Sequence, residues 1–299
     1  MQIDFNILIL LSLIFLIMIN HKNNDSLLKA LSPFLENCKS VGFVPTMGAL
    51  HKGHLSLVEQ ACNENDCVVV SIFVNPTQFN KAQDLEKYPR TLNSDLDLLK
   101  TIKGNIFVFS PKASELYKDD ISSNKYNFSG IENEMEGKHR EGHFDGVGTV
   151  LNLLFRIVKP NKAYLGEKDF QQLQIVRKLV EIENLPVTII GCPIIREESG
   201  LAMSSRNKRL SKDLLKEATL IFKTLKEVQQ NFDFLNFSQL NKLVENTFNE
   251  NQFLELEYFE IANSKTLKTE TSKSPNESYR AFIAVFVDGV RLIDNIALN

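Results

Sequence analysis

Three observations predict an α/β chain. Apolar runs and amphipathic stretches alternate from Val41 to Ile195, the order that builds a parallel sheet with crossover helices. Val68-Val-Val-Ser-Ile-Phe-Val74 is almost continuously apolar, as suits a strand covered on both faces. After about Arg196 the texture changes to polar helical segments and then strands, two of them joined by Asp288-Gly289, a strong hairpin signal. The expected architecture is a Rossmann-like, doubly wound parallel sheet with a smaller C-terminal α+β domain. The domain reading is a hydrophobic leader over 1–17, the sheet domain over 18–194, and a lid with the α+β domain over 195–299.

The elements follow from periodicity. Strands are expected at Val41–Val44, Cys67–Val74, Ile106–Phe109, Ala163–Leu165 and Val187–Ile195. Helices are expected between them, at Leu55–Glu64, Ser94–Lys103, Gly148–Val158 and Phe170–Asn184. The last carries Leu173, Val176 and Val180 at helical spacing. In the tail, helices are expected near Lys212–Asn231 and Asn236–Asn249. Strands then follow at Leu254–Ile261, Ala281–Val287 and Val290–Ile293. Lys268–Ser278, rich in Thr, Ser, Lys and Glu, reads as an exposed loop.

The start of the chain stands apart. Ile7–Ile19 is nearly all apolar but short for a membrane span, which needs roughly 18 residues or more. Asp4 precedes it, no Lys or Arg does, and no A-x-A-like cleavage site follows. Three readings are open: a non-native extension ahead of a start at Met18, a membrane anchor, and a core element. The first is preferred, so a chain beginning at Met18 is expected to be soluble and active.

Composition excludes some partners. The net charge is −3 and no long basic run exists, which disfavours nucleic acid. Cys38, Cys62, Cys67 and Cys192 are scattered without a C-x-x-C pair, as expected of small buried thiols in a reducing compartment. A cytoplasmic protein with no membrane partner is therefore expected.

The motifs lie where strands end. Val41-Gly-Phe-Val-Pro-Thr-Met-Gly-Ala-Leu-His51-Lys-Gly-His54 reads as a buried strand, a tight glycine turn and a histidine pair just before a helix. Free N–H groups and the positive end of the helix dipole suit a phosphate there. No Walker-type loop, G-x-G-x-x-G or G-x-S-x-G occurs. Asn75-Pro-Thr-Gln78 offers amides on a second rim loop. Gly166-Glu-Lys-Asp169 offers Lys168 after a third strand, with Asp169 able to cap the next helix. Met203-Ser204-Ser205-Arg206 offers hydroxyl and guanidinium donors on a segment that also suits a lid. Glu136–Gly148 carries His139 and His143 at i, i+4, but its glycines disfavour a helix and the His-Glu-x-x-His pattern is missing. It is read as a substrate-proximal loop.

Together, VPTMGALHKGH, VVVSIFVNPTQF, DLEKYPRTLNSDL, EGKHREGHFDGVGTVLNLLF, GEKDFQQL, MSSRN and RLIDN resemble the pantoate–β-alanine ligase (pantothenate synthetase) family of His-x-Gly-His nucleotidyltransferases. The resemblance runs from about Met18 to Leu298. It implies a two-step ATP-dependent condensation of (R)-pantoate with β-alanine, through pantoyl adenylate, giving pantothenate, AMP and pyrophosphate, with Mg2+ accompanying ATP. It also implies a homodimer. Carried over residue by residue, it makes His51, His54, Lys168, Ser204, Ser205 and Arg206 catalytic, with His54 the candidate proton donor. The nucleotide set becomes Met47, Gly48, Ala49, Leu50, His51, Lys52, Gly53 and His54, then Gly166, Glu167, Lys168 and Asp169, then Ile195 and Met203–Arg206. Gln78, Gln172 and Asn75 become the substrate-binding set, Gln78 reaching β-alanine as well. No metal-ligand set is fixed; Asp95 is the sole suggestion for magnesium. Asn263 stands where relatives often have Asp. The competing readings are another His-x-Gly-His nucleotidyltransferase and a non-catalytic nucleotide-binding scaffold.

Overall fold

The computed structural model describes residues 19–299 apart from 38, 80–81 and 119, and omits the side chains of 82–84. The leader over 1–17, the Met18 start and Cys38 lie outside the described residues. Six parallel strands form the main sheet: β1 (Asn20–His21), β2 (Val41–Thr46), β3 (Cys67–Ile72), β4 (Ile106–Phe109), β5 (Lys162–Gly166) and β6 (Thr188–Cys192). Their spatial order is β1-β4-β3-β2-β5-β6. The chain order reverses between β2 and β5, so a crevice opens there beyond the carboxyl ends of the strands.

Both faces of this sheet are covered, which is why its strands are apolar throughout. Val69 faces a core shared with Leu27, Phe43, Leu154 and Leu173. Val68 and Val70 face the opposite core, with Val44, Val58, Leu99 and Tyr164. Helices Asn24–Glu36, His143–Val158 and Phe170–Ile182 cover the first face, and Lys52–Glu64 and Leu92–Leu99 cover the second.

The C-terminal part is an antiparallel sheet of β7 (Leu254–Asn263), β8 (Tyr279–Val287) and β9 (Val290–Ala297) in the order β7-β8-β9. Helices Thr219–Asn231 and Phe237–Asn249 pack Leu225, Val228, Leu240 and Val244 onto Ile261, Ile283 and Leu292 of that sheet. Asp288 and Gly289 turn β8 into β9 with φ of 48° and 71°, the left-handed pair that an Asp-Gly hairpin uses. Lys268–Ser278 is largely exposed, as its composition suggests.

Several elements differ from the sequence expectation. β1 and helix Asn24–Glu36 were not expected, because the apolar leader masks their weaker pattern. Lys212–Asn231 is two helices, Lys212–Glu217 and Thr219–Asn231. The segment expected as a loop up to Gly148 is largely helical: Glu136–His139 forms one turn, and the long helix starts at His143 after Gly142 at φ +72°. Tertiary contact overrides glycine's low helix propensity here. A Cβ on Gly146 would lie 2.4 Å from the Thr77 carbonyl oxygen, so the helix can approach the Asn75–Gln78 loop only with glycine there.

Of the cysteines within the described residues, Cys67 and Cys192 are buried and Cys62 is half-buried. Burial lifts their thiols to about 12, 11 and 11 respectively, so they remain protonated.

Candidate active site

The first wall of the crevice is the turn after β2. Gly48 and Ala49 both take left-handed backbone, with φ of 83° and 51°. Buried Asp95 holds this turn, accepting Ala49 N–H at 3.0 Å, Leu50 N–H at 2.8 Å and the Thr91 hydroxyl at 3.1 Å. Both Asp95 oxygens are thus engaged by the protein, and the residue suggested from sequence for magnesium is a brace for the loop. His51 follows as N-cap of helix Lys52–Glu64, its Nδ1 accepting Gly53 N–H at 3.2 Å. The helix begins earlier than apolar periodicity suggests, so His54 sits in its first turn. The two imidazoles lie with ring centroids 4.1 Å apart. His54 Nδ1 is buried with no partner among the described residues, an acceptor or donor that a ligand or water would satisfy.

The second wall follows β3. Asn75 is buried, and its side chain ties this loop to two helices: it donates to Gln78 Oε1 and Gly146 O at 3.1 Å each, and accepts the Tyr117 hydroxyl at 2.6 Å. It orients Gln78, whose Nε2 lies 3.0 Å from Met47 Sδ. The third wall follows β5. Asn295 of β9 donates to the carbonyls of Glu167 at 2.9 Å and Lys168 at 2.8 Å, fixing the loop that presents Lys168. Beside it Arg196 grips buried Asp294 at 2.6 and 3.0 Å. The fourth wall is the short turn Ser205–Arg209, capped by Ser204 Oγ accepting Arg206 N–H at 3.2 Å.

These walls enclose a cleft of about 1360 Å³ including its open mouth. Of the residues singled out from sequence, Met47, His51, Gly53, His54, Asn75, Gln78, Gly166, Lys168, Asp169, Gln172, Ile195, Met203, Ser204, Ser205 and Arg206 line it. Gly48, Ala49, Leu50, Lys52 and Glu167 do not. The first three shape the turn, Lys52 is exposed, and Glu167 approaches Arg280 at 3.4 Å. Sequence reasoning also missed lining residues: Tyr88, which reaches Ser205, and Val147, Val150, Leu151 and Leu154 of the long helix. The aliphatic spacing of that helix reads equally as core, so no local signal marks the face that meets the cleft.

The imidazoles are neutral near pH 7. Burial lowers His51 to about 4, reinforced by the charges of Lys168 and Lys208. It lowers His54 to about 3, with His51 and Lys168 adding to the effect. His143, which approaches the Gln78 carbonyl oxygen at 3.0 Å, falls to about 4 through burial and the charge of Arg140. These folded values lie below the ordinary 6.5, so the unfolded chain binds more protons in between. The stabilisation is fully present above pH 6.5 and is lost as pH falls through the folded values. Thermal unfolding midpoints are expected to drop from pH 6.5 towards 4, with a shallower fall in His143→Asn. An unchanged slope in that variant would contradict the assignment.

The family model described as pantoate-beta-alanine ligase matches residues 20–297. The chain is 56% identical over 278 residues to pantothenate synthetase of Christiangramia forsetii, covering 93% of this chain and 98% of that one. It is 50% identical over 269 residues to pantothenate synthetase of Flavobacterium psychrophilum, covering 90% and 95%. Among solved structures, pantothenate synthetase from Thermus thermophilus superimposes with a TM-score of 0.86 at 36% identity, covering 94% and 99% of the two chains. A pantoate-beta-alanine ligase from Francisella tularensis, complexed with beta-gamma ATP and beta-alanine, gives 0.77 at 37% identity, covering 94% and 98%.

Proposed function

The chain belongs to the pantoate–β-alanine ligase family and joins pantoate to β-alanine at the expense of ATP; we propose that it does so in two steps within the cleft between β2 and β5. In the first, the carboxylate of (R)-pantoate attacks the α-phosphorus of ATP, and pyrophosphate leaves with the bond electrons. In the second, the neutral amine of β-alanine attacks the acyl carbon of pantoyl adenylate, the acyl C–O bond breaks with its electrons leaving on AMP, and the proton lost by the amine passes to solvent. The observation that carries this reading is the convergence of four separate loops, bearing His51 and His54, Gln78, Lys168, and Ser204–Arg206, on one cleft.

A carboxylate is already a nucleophile, so the first step needs no enzyme base. What it needs is stabilisation of charge on the α-phosphoryl group and the leaving pyrophosphate. Lys168 and Arg206 supply positive charge. The start of helix Lys52–Glu64 supplies oriented N–H groups, and neutral His51 and His54 supply ring N–H donors. The anionic phosphates favour the protonated imidazole, so nucleotide binding raises both histidine values and makes His54 the proton donor. Gln78 and Gln172 hold pantoate without adding a charge that would oppose the attack. The Ser204–Arg206 turn closes on the nucleotide and keeps water from the adenylate.

Among the described residues, no group of three or more metal-ligating side chains occurs, and Asp169 is the one carboxylate lining the cleft. That donor set fits a magnesium ion that arrives with ATP: Asp169 would help hold it, and the ion would neutralise charge on the triphosphate.

We place the domain boundary between residues 194 and 195, so that the Ser204–Arg206 turn belongs to the C-terminal domain. No helix among the described residues is long and apolar enough to cross a membrane. A homodimer in the cytoplasm completes the proposal. Sedimentation equilibrium at twice the chain mass of 34.0 kDa is the expected result, and a monomer would contradict it.

A further inference from the structure

Beside the nucleotide cleft lies a second cavity of about 690 Å³ including its mouth. The two share Met47, Gln78, Lys168, Asp169, Gln172 and Arg206, so they adjoin across these side chains. Arg140 lines the second cavity and not the first. It follows the short helix Glu136–His139, and His143 Nδ1 at 3.0 Å and Arg140 Nη2 at 3.4 Å both approach the carbonyl oxygen of Gln78.

The local carboxylate does not explain this arginine. Glu136 is 8% exposed and already takes two hydrogen bonds from Arg291, at 2.9 and 2.7 Å, and one from the Tyr258 hydroxyl at 2.8 Å. Burial alone would raise the Glu136 carboxyl, but these partners hold it down at about 2. Arg140 approaches it only to 3.7 Å. Its two contacts with Glu136 and Gln78 are thus long, while its charge sits at a cavity wall. Lys168 and Arg206 also reach that cavity, but they face the nucleotide as well.

Resting on the two-step reading above, we propose that Arg140 binds the carboxylate of β-alanine and holds its amine towards the acyl carbon of the adenylate. The chemistry is matched. β-Alanine carries a carboxylate two methylenes from its amine, and a guanidinium one side chain beyond Gln78 can take that carboxylate while the amine points back to the shared region. Arginine's planar fork pairs with a carboxylate through two parallel hydrogen bonds, which also fixes direction. The second cavity is then the entry path and resting place of the amine substrate, separate from the phosphates.

The test is amine selectivity, comparing β-alanine with β-alaninamide, which keeps the amine and lacks the charge. Arg140→Met is expected to lower kcat/KM for β-alanine about 10- to 100-fold, mainly through KM, as loss of a charged hydrogen-bonded pair does. The value for β-alaninamide stays close to that of the unmodified chain, so the preference for the acid collapses. Arg140→Lys, which keeps charge but loses the fork, gives an intermediate preference. Equal losses with both amines, or an unchanged preference in either variant, would overturn the proposal; the lysine variant decides it if the methionine variant does not fold. Pantoate-dependent ATP–pyrophosphate exchange in the unmodified chain tests the parent reading separately. Its absence removes the two-step reaction, whereas exchange with unaltered amine preference removes only the role of Arg140.

Discussion

Lys168→Ala and His54→Ala each lower pantoate-dependent pyrophosphate formation on the order of 10²- to 10³-fold, the usual cost of removing one donor aimed at developing charge. The two residues come from different loops, one after β5 and one after β2, yet both line one cleft. Neither is a major support of the fold. The Lys168 side chain is 18% exposed and its ion pair with Asp169 is long, at 3.6 Å. His54 leaves Nδ1 without a partner among the described residues, so alanine there breaks no described side-chain bond of that atom. Both variants should therefore show normal circular dichroism and cooperative melting. Single-turnover release of pyrophosphate at saturating ATP and pantoate is the measurement. Near-normal release from either folded variant would remove that residue from the chemistry.

Asp95→Ala should damage stability and activity together. It removes a buried acceptor from the Ala49 and Leu50 N–H groups, which stay away from water, and from the Thr91 hydroxyl at the surface. Each unsatisfied buried group costs about 1–3 kcal/mol, so a loss of about 3 kcal/mol or more is expected. The consequence reaches the chemistry because Asp95 holds Ala49 and Leu50, at and just after the left-handed pair Gly48–Ala49, in the turn that delivers His51 to the cleft. Urea unfolding and adenylation rate should fall in the same variant, and Asp95→Asn, which keeps one acceptor, should fall less in both. A variant that melts normally and forms adenylate at the normal rate would contradict the bracing role.

The contrast between Asp95 and Lys168 shows what a single chain discloses. Strand ends followed by glycine, amide or lysine motifs place functional groups at one rim, because a parallel sheet exposes its carboxyl ends to a common crevice. His51, His54, Gln78 and Lys168 were legible for that reason. Asp95 was not: it sits on a helix 46 residues from Ala49, and nothing local says that its carboxylate points back into the protein. The same limit hid Asn295, whose amide fixes the Lys168 loop across 127 residues of sequence. It also hid the start of the long helix, from His143 to Val147, since Gly146 and Gly148 lower propensity locally and are needed only where Thr77, Tyr126 and Phe128 come close. Arg140 stood in a segment read as lying near the substrate. Its separation from the nucleotide side became visible only with the second cavity.

The most direct test of the central claim is to incubate the chain with ATP, magnesium and (R)-pantoate, following pyrophosphate, AMP and pantothenate before and after β-alanine is added. The account predicts pantoate-dependent pyrophosphate at about one equivalent per site before β-alanine, consistent with a held adenylate, and AMP with pantothenate only afterwards. Pyrophosphate that appears only once β-alanine is present would contradict the separate adenylate step.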